Sequence, residues 1–133
     1  MIILTNTASQ ELAPGQSLVF NLEILHTGCA ECYRAGSGAI SMRMQNAIYD
    51  INISANIGST TAATTANLTA FLNGSPMTET TMLYTTTTVG DLNTVSRSTG
   101  VRTCCGPETI TFVNNGDTTI VVEQPLVKIR RVA

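Results

Sequence analysis

In residues 48–57, IYDINISANI, apolar and polar side chains alternate. One face of this stretch carries the apolar residues Tyr49, Ile51, Ile53, Ala55 and Ile57. Because successive side chains of a strand point to opposite faces, the pattern predicts a strand with one buried and one exposed face. Helical spacing does not fit, since the apolar residues would then surround the helix. A strand this long predicts a central place in an antiparallel sheet that packs on a second layer.

The same alternation recurs in shorter stretches along the whole chain. Segment 17–25 predicts a second long strand, whose inward residues are Leu18, Phe20, Leu22 and Ile24. Asn73 and Gly74 predict a tight hairpin because both tolerate positive φ, and segment 114–117 predicts another. Pro125 lacks a backbone donor and predicts a bend or a sheet edge. No helix is predicted, so residues 1–133 are expected to form a single all-β domain, an antiparallel sandwich or jelly roll.

Composition excludes several classes of function. Charged residues make up only 12% of the 133 residues and the net charge is −2, whereas nucleic-acid binding requires a basic surface. The cluster of Lys128, Arg130 and Arg131 is interpreted as an exposed final strand. The first residues lack the basic leader and cleavage site of a signal peptide, and no segment has the length of a membrane span. We therefore expect neither a nucleic-acid nor a membrane partner.

Four cysteines fall in two predicted loops, as Cys29 and Cys32 in loop 26–38 and as adjacent Cys104 and Cys105 in loop 103–107. The favoured interpretation is two loop-to-loop disulfides, each of which would stabilise the fold by about 2–4 kcal/mol. A four-thiolate zinc site stays open, although adjacent cysteines cannot easily direct both sulfurs at one tetrahedral ion. Redox-active, free or interchain thiols also stay open, although a redox Cys-x-x-Cys normally begins a helix.

No arrangement of residues typical of catalysis is present. His26 is the single histidine, and no Gly-x-Ser-x-Gly motif accompanies it. We interpret it as a polar residue at a strand end. The carboxylates form no convincing pair for glycoside hydrolysis, and no Gly-Lys-Ser/Thr follows the glycines of segment 36–38. The sequence therefore predicts no enzyme, no metal and no cofactor.

Residues 47–57, 72–76, 113–117 and 126–131, taken in this order and spacing, resemble a known group of proteins. They are similar to the jelly-roll heads of the tumour necrosis factor and complement-globular-head superfamily. Within it, the resemblance is to the C-terminal domains of bacterial collagen-like exosporium glycoproteins and related phage and Firmicutes domains. It implies a TNF-like jelly roll that forms a compact homotrimer for display, surface coating or receptor contact, without catalysis.

Four apolar residues fall on the face that alternation predicts to be outward: Ile48, Phe71, Val113 and Val121. If they gather on one flank, they form an apolar patch that calls for a partner, which we expect to be two further copies of the chain. The leading hypothesis is a structural or adhesion module of a virion or of a bacterial or spore surface. Its ligand, a surface glycan or a protein receptor, would bind in loops and grooves between protomers. The alternatives are a decoration protein on a capsid or coat lattice and a carbohydrate-active enzyme on a β-sandwich.

Overall fold

The computed structural model describes residues 1–33, 36–104 and 107–133. Within these ranges the chain forms strands and one short 3₁₀ turn, Thr78–Thr80. The strands are β1 (Ile2–Thr5), β2 (Gln10–Leu12), β3 (Leu22–His26), β4 (Glu31–Tyr33), β5 (Ile40–Met42), β6 (Ile48–Ser59), β7 (Thr64–Leu72), β8 (Ser75–Pro76), β9 (Met82–Thr86), β10 (Asn93–Arg102), β11 (Glu108–Asn114) and β12 (Ile120–Arg131). No helix in the described ranges is long and apolar enough to cross a membrane.

The strands form two antiparallel sheets. The first sheet has the order β10-β6-β12-β1-β3, and β2 pairs with the start of β12. The second sheet has the order β4-β5-β11-β7-β8, and β9 also pairs with β7. β6 lies between β10 and β12, as the alternation in residues 48–57 predicts. The expected all-β antiparallel jelly roll is confirmed.

The core lies between the two sheets and is built by the alternation itself. The five inward residues of β6 are at most 3% exposed, and they belong to one cluster with inward residues of the second sheet. Phe20 and Phe112 meet edge to face with ring centroids 6.2 Å apart. Full burial of each large aliphatic side chain contributes about 1.5–3 kcal/mol, which makes this cluster the main source of stability.

The prediction of one long strand over segment 17–25 is wrong in its second half. Leu18 and Phe20 are fully buried, but Leu22 and Ile24 are 47% and 53% exposed. The segment changes sheets: the Leu18 amide donates to Phe112 of the second sheet, and the Asn21 amide donates to Thr5 of the first sheet. After this crossing the chain becomes β3, which pairs with β1 at the edge of the first sheet. Leu22 lies opposite Thr5 there, so its side chain lies on the outer face of the first sheet and not between the two sheets.

The two turn predictions had different outcomes. Asn73 and Gly74 have φ of 51° and 85° and join β7 to β8 as the predicted hairpin. Segment 114–117 is not a hairpin, because β11 lies in the second sheet and β12 in the first. At this crossing, the buried side-chain amide of Asn114 donates to the Leu12 carbonyl of the first sheet, which ties the end of β11 to that sheet.

Two irregular segments are a break in β12 and loop 26–38. The bend predicted at Pro125 is confirmed as a break in the register of β12, where the preceding Gln124 has a φ of 50°. Loop 26–38 was predicted without regular structure, but it contains the short strand β4, which pairs with β5. Glu31 directs its side chain inward there and is 1% exposed.

Candidate functional site

The outer face of the first sheet carries apolar side chains on the β3 side. Leu25 lies opposite Ile3, and Leu22 and Leu126 lie on either side of Thr5. Leu22, Leu25 and Leu126 are 47%, 38% and 42% exposed. Ile24 is the extra residue of a bulge in β3, which also leaves it exposed. We call this surface the apolar band, and its residues are Ile3, Leu22, Ile24, Leu25 and Leu126.

The same face is polar on the β6 and β10 side. Ser98 donates a hydrogen bond to Asn52 Oδ1 at 2.6 Å, and Thr94 donates to Asn56 Oδ1 at 2.5 Å. A shallow depression of about 500 Å³ separates this ladder from the apolar band, with Leu126 and Lys128 on its other side. The face therefore presents two chemically different surfaces next to each other.

Two basic residues, Arg130 and Arg131, lie at the end of the final strand. Arg130 and Arg131 are exposed, as predicted for the end of the chain. Arg130 lies 3.6 Å from the Asp50 carboxylate, and both side chains are about half exposed. An ion pair in that setting contributes little to stability. Arg130 and Arg131 are therefore exposed surface residues at the end of the strand and do not enclose an anion site.

The four residues predicted to form an apolar flank are not brought together. Ile48 and Val121 lie in the first sheet but at opposite ends of it, since Val121 pairs with Gly58 at the far end of β6. Phe71 and Val113 lie in the second sheet, and Val113 is only 7% exposed. Exposed apolar residues do lie together in the apolar band.

The alternation pattern did not predict the apolar band, although the sequence contains one sign of it. Segment 17–25 was interpreted as one strand with Leu22 and Ile24 inward. The adjacent apolar residues Ile24 and Leu25 interrupt the alternation, as happens at a bulge. A bulge in a short strand indicates a sheet edge, where apolar side chains are not covered by the core.

The cysteine loops lie at the same end of the sandwich. The buried Tyr49 hydroxyl donates to the Ala30 carbonyl at 2.7 Å and accepts from the Met44 amide at 3.2 Å. Thr103 donates to the Met44 carbonyl at 2.5 Å, which links the two loops through one hydrogen-bonded chain. Cys29 and Cys32 are exposed and form no disulfide with each other. Cys104 is also exposed and Cys105 lies outside the described residues, so the loop-to-loop disulfides stay a prediction.

His26 is occupied by local contacts. Its Nδ1 lies 2.6 Å from Glu23 Oε1, and its Nε2 lies 2.9 Å from the Glu31 carbonyl oxygen. Both ring nitrogens therefore have partners within the chain, which fits the interpretation of His26 as a polar residue at a strand end. Among the described residues, no three His, Cys, Asp or Glu side chains come together as metal ligands could.

Two tyrosines have raised pKa values for structural reasons. Burial raises the pKa of Tyr33, and a backbone hydrogen bond from Phe20 offsets part of that increase. The pKa of Tyr84 is raised because its hydroxyl donates a hydrogen bond to the Asp91 carboxylate. Both hydroxyls join separate segments of the chain in their neutral form, so we assign them to the framework.

Comparison with known proteins adds information on the fold. No family model and no curated protein sequence matches the chain. The globular domain of zebrafish complement 1qA protein is similar in structure, with a TM-score of 0.64 and 9% identity over 99% of this chain and 96% of that one. Murine APRIL at pH 5.0 has a TM-score of 0.57 and 9% identity over 96% and 98% of the two chains. PRD1 vertex protein P5 has a TM-score of 0.55 and 12% identity over 99% and 96%. Identities this low show the fold alone, which is the TNF/C1q jelly roll.

Proposed function

We propose that this jelly roll is a non-catalytic, trimeric structural or adhesion module borne on a phage particle or on a bacterial or spore surface. The observation that carries the proposal is the apolar band on the outer face of the first sheet. Its three leucines are each about half exposed, so covering one would contribute about 1 kcal/mol, half the value of a full burial. A cluster of such side chains on one face calls for a partner surface.

A threefold assembly of identical chains suits this face. A rotation that closes in threes brings two different surfaces of neighbouring protomers together. The outer face offers such a pair, the apolar band on the β3 side and the hydrogen-bonded polar ladder on the β10 side. The resemblance of the sequence motifs to TNF-like and complement-head domains, including those of exosporium glycoproteins, also implies trimers and a place at a surface.

The side chains of this face favour a binding role over a catalytic role. The Ser98 and Thr94 hydroxyls donate to the amide oxygens of Asn52 and Asn56, which are too weakly basic to activate a hydroxyl. His26, the single histidine of the chain, has partners at both ring nitrogens. The proposal therefore assigns the molecule a binding or coating role, with ligand contacts in the loops and the grooves between protomers.

A second candidate is a decoration protein that stabilises a capsid or coat and contacts nothing outside it. The similarity in fold to PRD1 vertex protein P5 favours this candidate over an enzyme. Immunogold electron microscopy of cells, spores and particles from the source culture tests both. We expect label on an outer surface of one of them. Label confined to the cell interior would contradict both candidates.

The two candidates differ in what the purified protein binds. An adhesion module should bind intact cells or a glycan array. A decoration protein should bind only particles that lack it. Binding to particles alone would therefore replace the first candidate with the second.

A further inference from the structure

The outer face of the second sheet carries a polar depression of about 420 Å³. It lies where β7 and β9 meet the turn that follows β11. Asn67 and Leu83 are cross-strand neighbours there, and Leu83 is 58% exposed. Its lining includes Thr65, Asn67, Leu83, Asn115 and Asp117.

Backbone contacts hold the wall of this depression in place. The Asn115 amide donates to the Asn67 carbonyl at 3.2 Å, and the Gly116 amide donates to Asn114 Oδ1 at 3.0 Å. Gly116 packs closely on β7, since a Cβ added there would lie 3.2 Å from the Asn67 Cβ. Buried Asn114 donates to the Thr118 carbonyl at 2.8 Å and so closes the turn. The depression is preformed, which lowers the entropic cost of binding a ligand.

The lining has hydrogen-bonding capacity that the protein does not use. The side chains of Asn115 and Asp117 form no hydrogen bond or ion pair with the described part of the chain. Asn67 Oδ1 accepts from Thr69, and the amide nitrogen of Asn67 has no partner among the described residues. The described lining contains one carboxylate and no lysine or arginine. The lining therefore disfavours an anionic ligand. It favours a neutral ligand with many hydroxyl groups, which can use these donors and acceptors.

We propose that this depression binds an uncharged sugar residue of a surface glycan. Leu83 provides an apolar platform for the C–H face of a pyranose ring. The Asp117 carboxylate accepts hydrogen bonds from two neighbouring hydroxyls, and the amides of Asn67 and Asn115 each offer a donor to a ring substituent. This mixture of one apolar side chain and a few convergent polar groups is typical of small-ligand sites.

The inference rests on the proposed adhesion function and names the ligand class of the module, with the ligand at the turn after β11 and not in a groove between protomers. The site lies on the second sheet and the apolar band lies on the first, so a trimer built on the band leaves three copies of the site exposed. One copy should bind weakly, with a Kd of about 1 mM for a monosaccharide at a typical ligand efficiency. Three linked copies would raise the avidity for a branched or repeating glycan.

The test is an NMR titration of the ¹⁵N-labelled protein with methyl glycosides of glucose, galactose, mannose, rhamnose, N-acetylglucosamine and N-acetylgalactosamine. We expect at least one glycoside to shift amide signals of segments 64–67, 82–84 and 115–118. Asp117→Asn should weaken that binding by about tenfold, since it removes a charge-assisted acceptor. Leu83→Ala should weaken it by about threefold or more, through lost apolar contact.

Two substitutions serve as matched controls. Glu79→Gln removes an exposed carboxylate outside the depression, and Val89→Ala shortens an exposed apolar side chain outside it. Both should leave the Kd unchanged. Equal weakening by the controls would overturn the proposal, as would shifts located elsewhere or the absence of shifts with every glycoside. The mass of the same sample is measured separately, so a trimer that binds no glycoside overturns only the sugar site. A monomer that binds one overturns only the assembly.

Discussion

Leu126→Asp should dissociate the proposed trimer without unfolding the protomer. Leu126 is 42% exposed on the outer face of β12, between Thr5 and Ser54, so the substitution leaves the core intact. A surface change of this kind alters protomer stability by about 0.5 kcal/mol. In the proposed interface it removes about 1 kcal/mol of apolar burial and adds an unpaired carboxylate that costs about 3 kcal/mol. Each contact between protomers would then weaken by about 4 kcal/mol, or about a thousandfold.

Sedimentation equilibrium over a range of concentrations measures this change, and urea denaturation of the same samples monitors the fold. Leu83→Asp is the matched control, because Leu83 is 58% exposed on the second sheet and lies outside the apolar band. We expect the control to remain trimeric and Leu126→Asp to sediment as a folded monomer. A Leu126→Asp variant that keeps the mass of the unaltered protein would refute the assignment of the interface. Dissociation of both variants alike would refute it as well.

Three further outcomes are expected. Asn114→Ala should lower the free energy of unfolding in urea by about 2–4 kcal/mol, because it leaves the Leu12 carbonyl of the first sheet and the Thr118 carbonyl of the turn without this donor. Asn115→Ala, at the exposed neighbour, should change the free energy of unfolding by about 0.5 kcal/mol. Equal effects would contradict the bridging role of Asn114. The pKa of Tyr84 is higher in the folded chain than in the unfolded chain, because its hydroxyl donates to Asp91. The stability that this bond contributes should therefore be complete below pH 10.0, decline as pH rises through the folded pKa, and be absent in Tyr84→Phe. Urea titrations at stepwise pH measure this dependence, and an unchanged alkaline profile in Tyr84→Phe would count against the bond. After air oxidation, non-reducing peptide mapping should detect disulfide-linked peptides from the two cysteine loops, and unlinked peptides would contradict the predicted disulfides.

The central strand could be predicted from the sequence because its environment repeats along its length. β6 has a neighbour on each side and the second sheet beneath it, so alternation in residues 48–57 translates directly into burial. The hairpin at Asn73 and Gly74 was equally predictable, since positive φ at both positions fixes the turn. These features depend on local geometry, which a sequence pattern reports.

The errors arose where the partner of a strand is decided far along the chain. Segment 17–25 keeps its alternation while it passes from the second sheet to the first, so Leu18 lies between the sheets and Leu22 lies on the outer face of the first sheet. The turn signal at 114–117 indicates a reversal of the chain, but it does not state which sheet the next strand joins. Alternation likewise assigns Phe71 and Ile48 to an outward face without stating that these faces belong to different sheets. The apolar band and the polar depression both arise from such long-range pairing.

The mass of the unaltered protein in solution shows whether three chains associate. Multi-angle light scattering at micromolar concentration should give three times the 14.1 kDa of one chain. A mass of one chain at micromolar concentration would contradict the proposed trimer, because the apolar band would then face water with no partner.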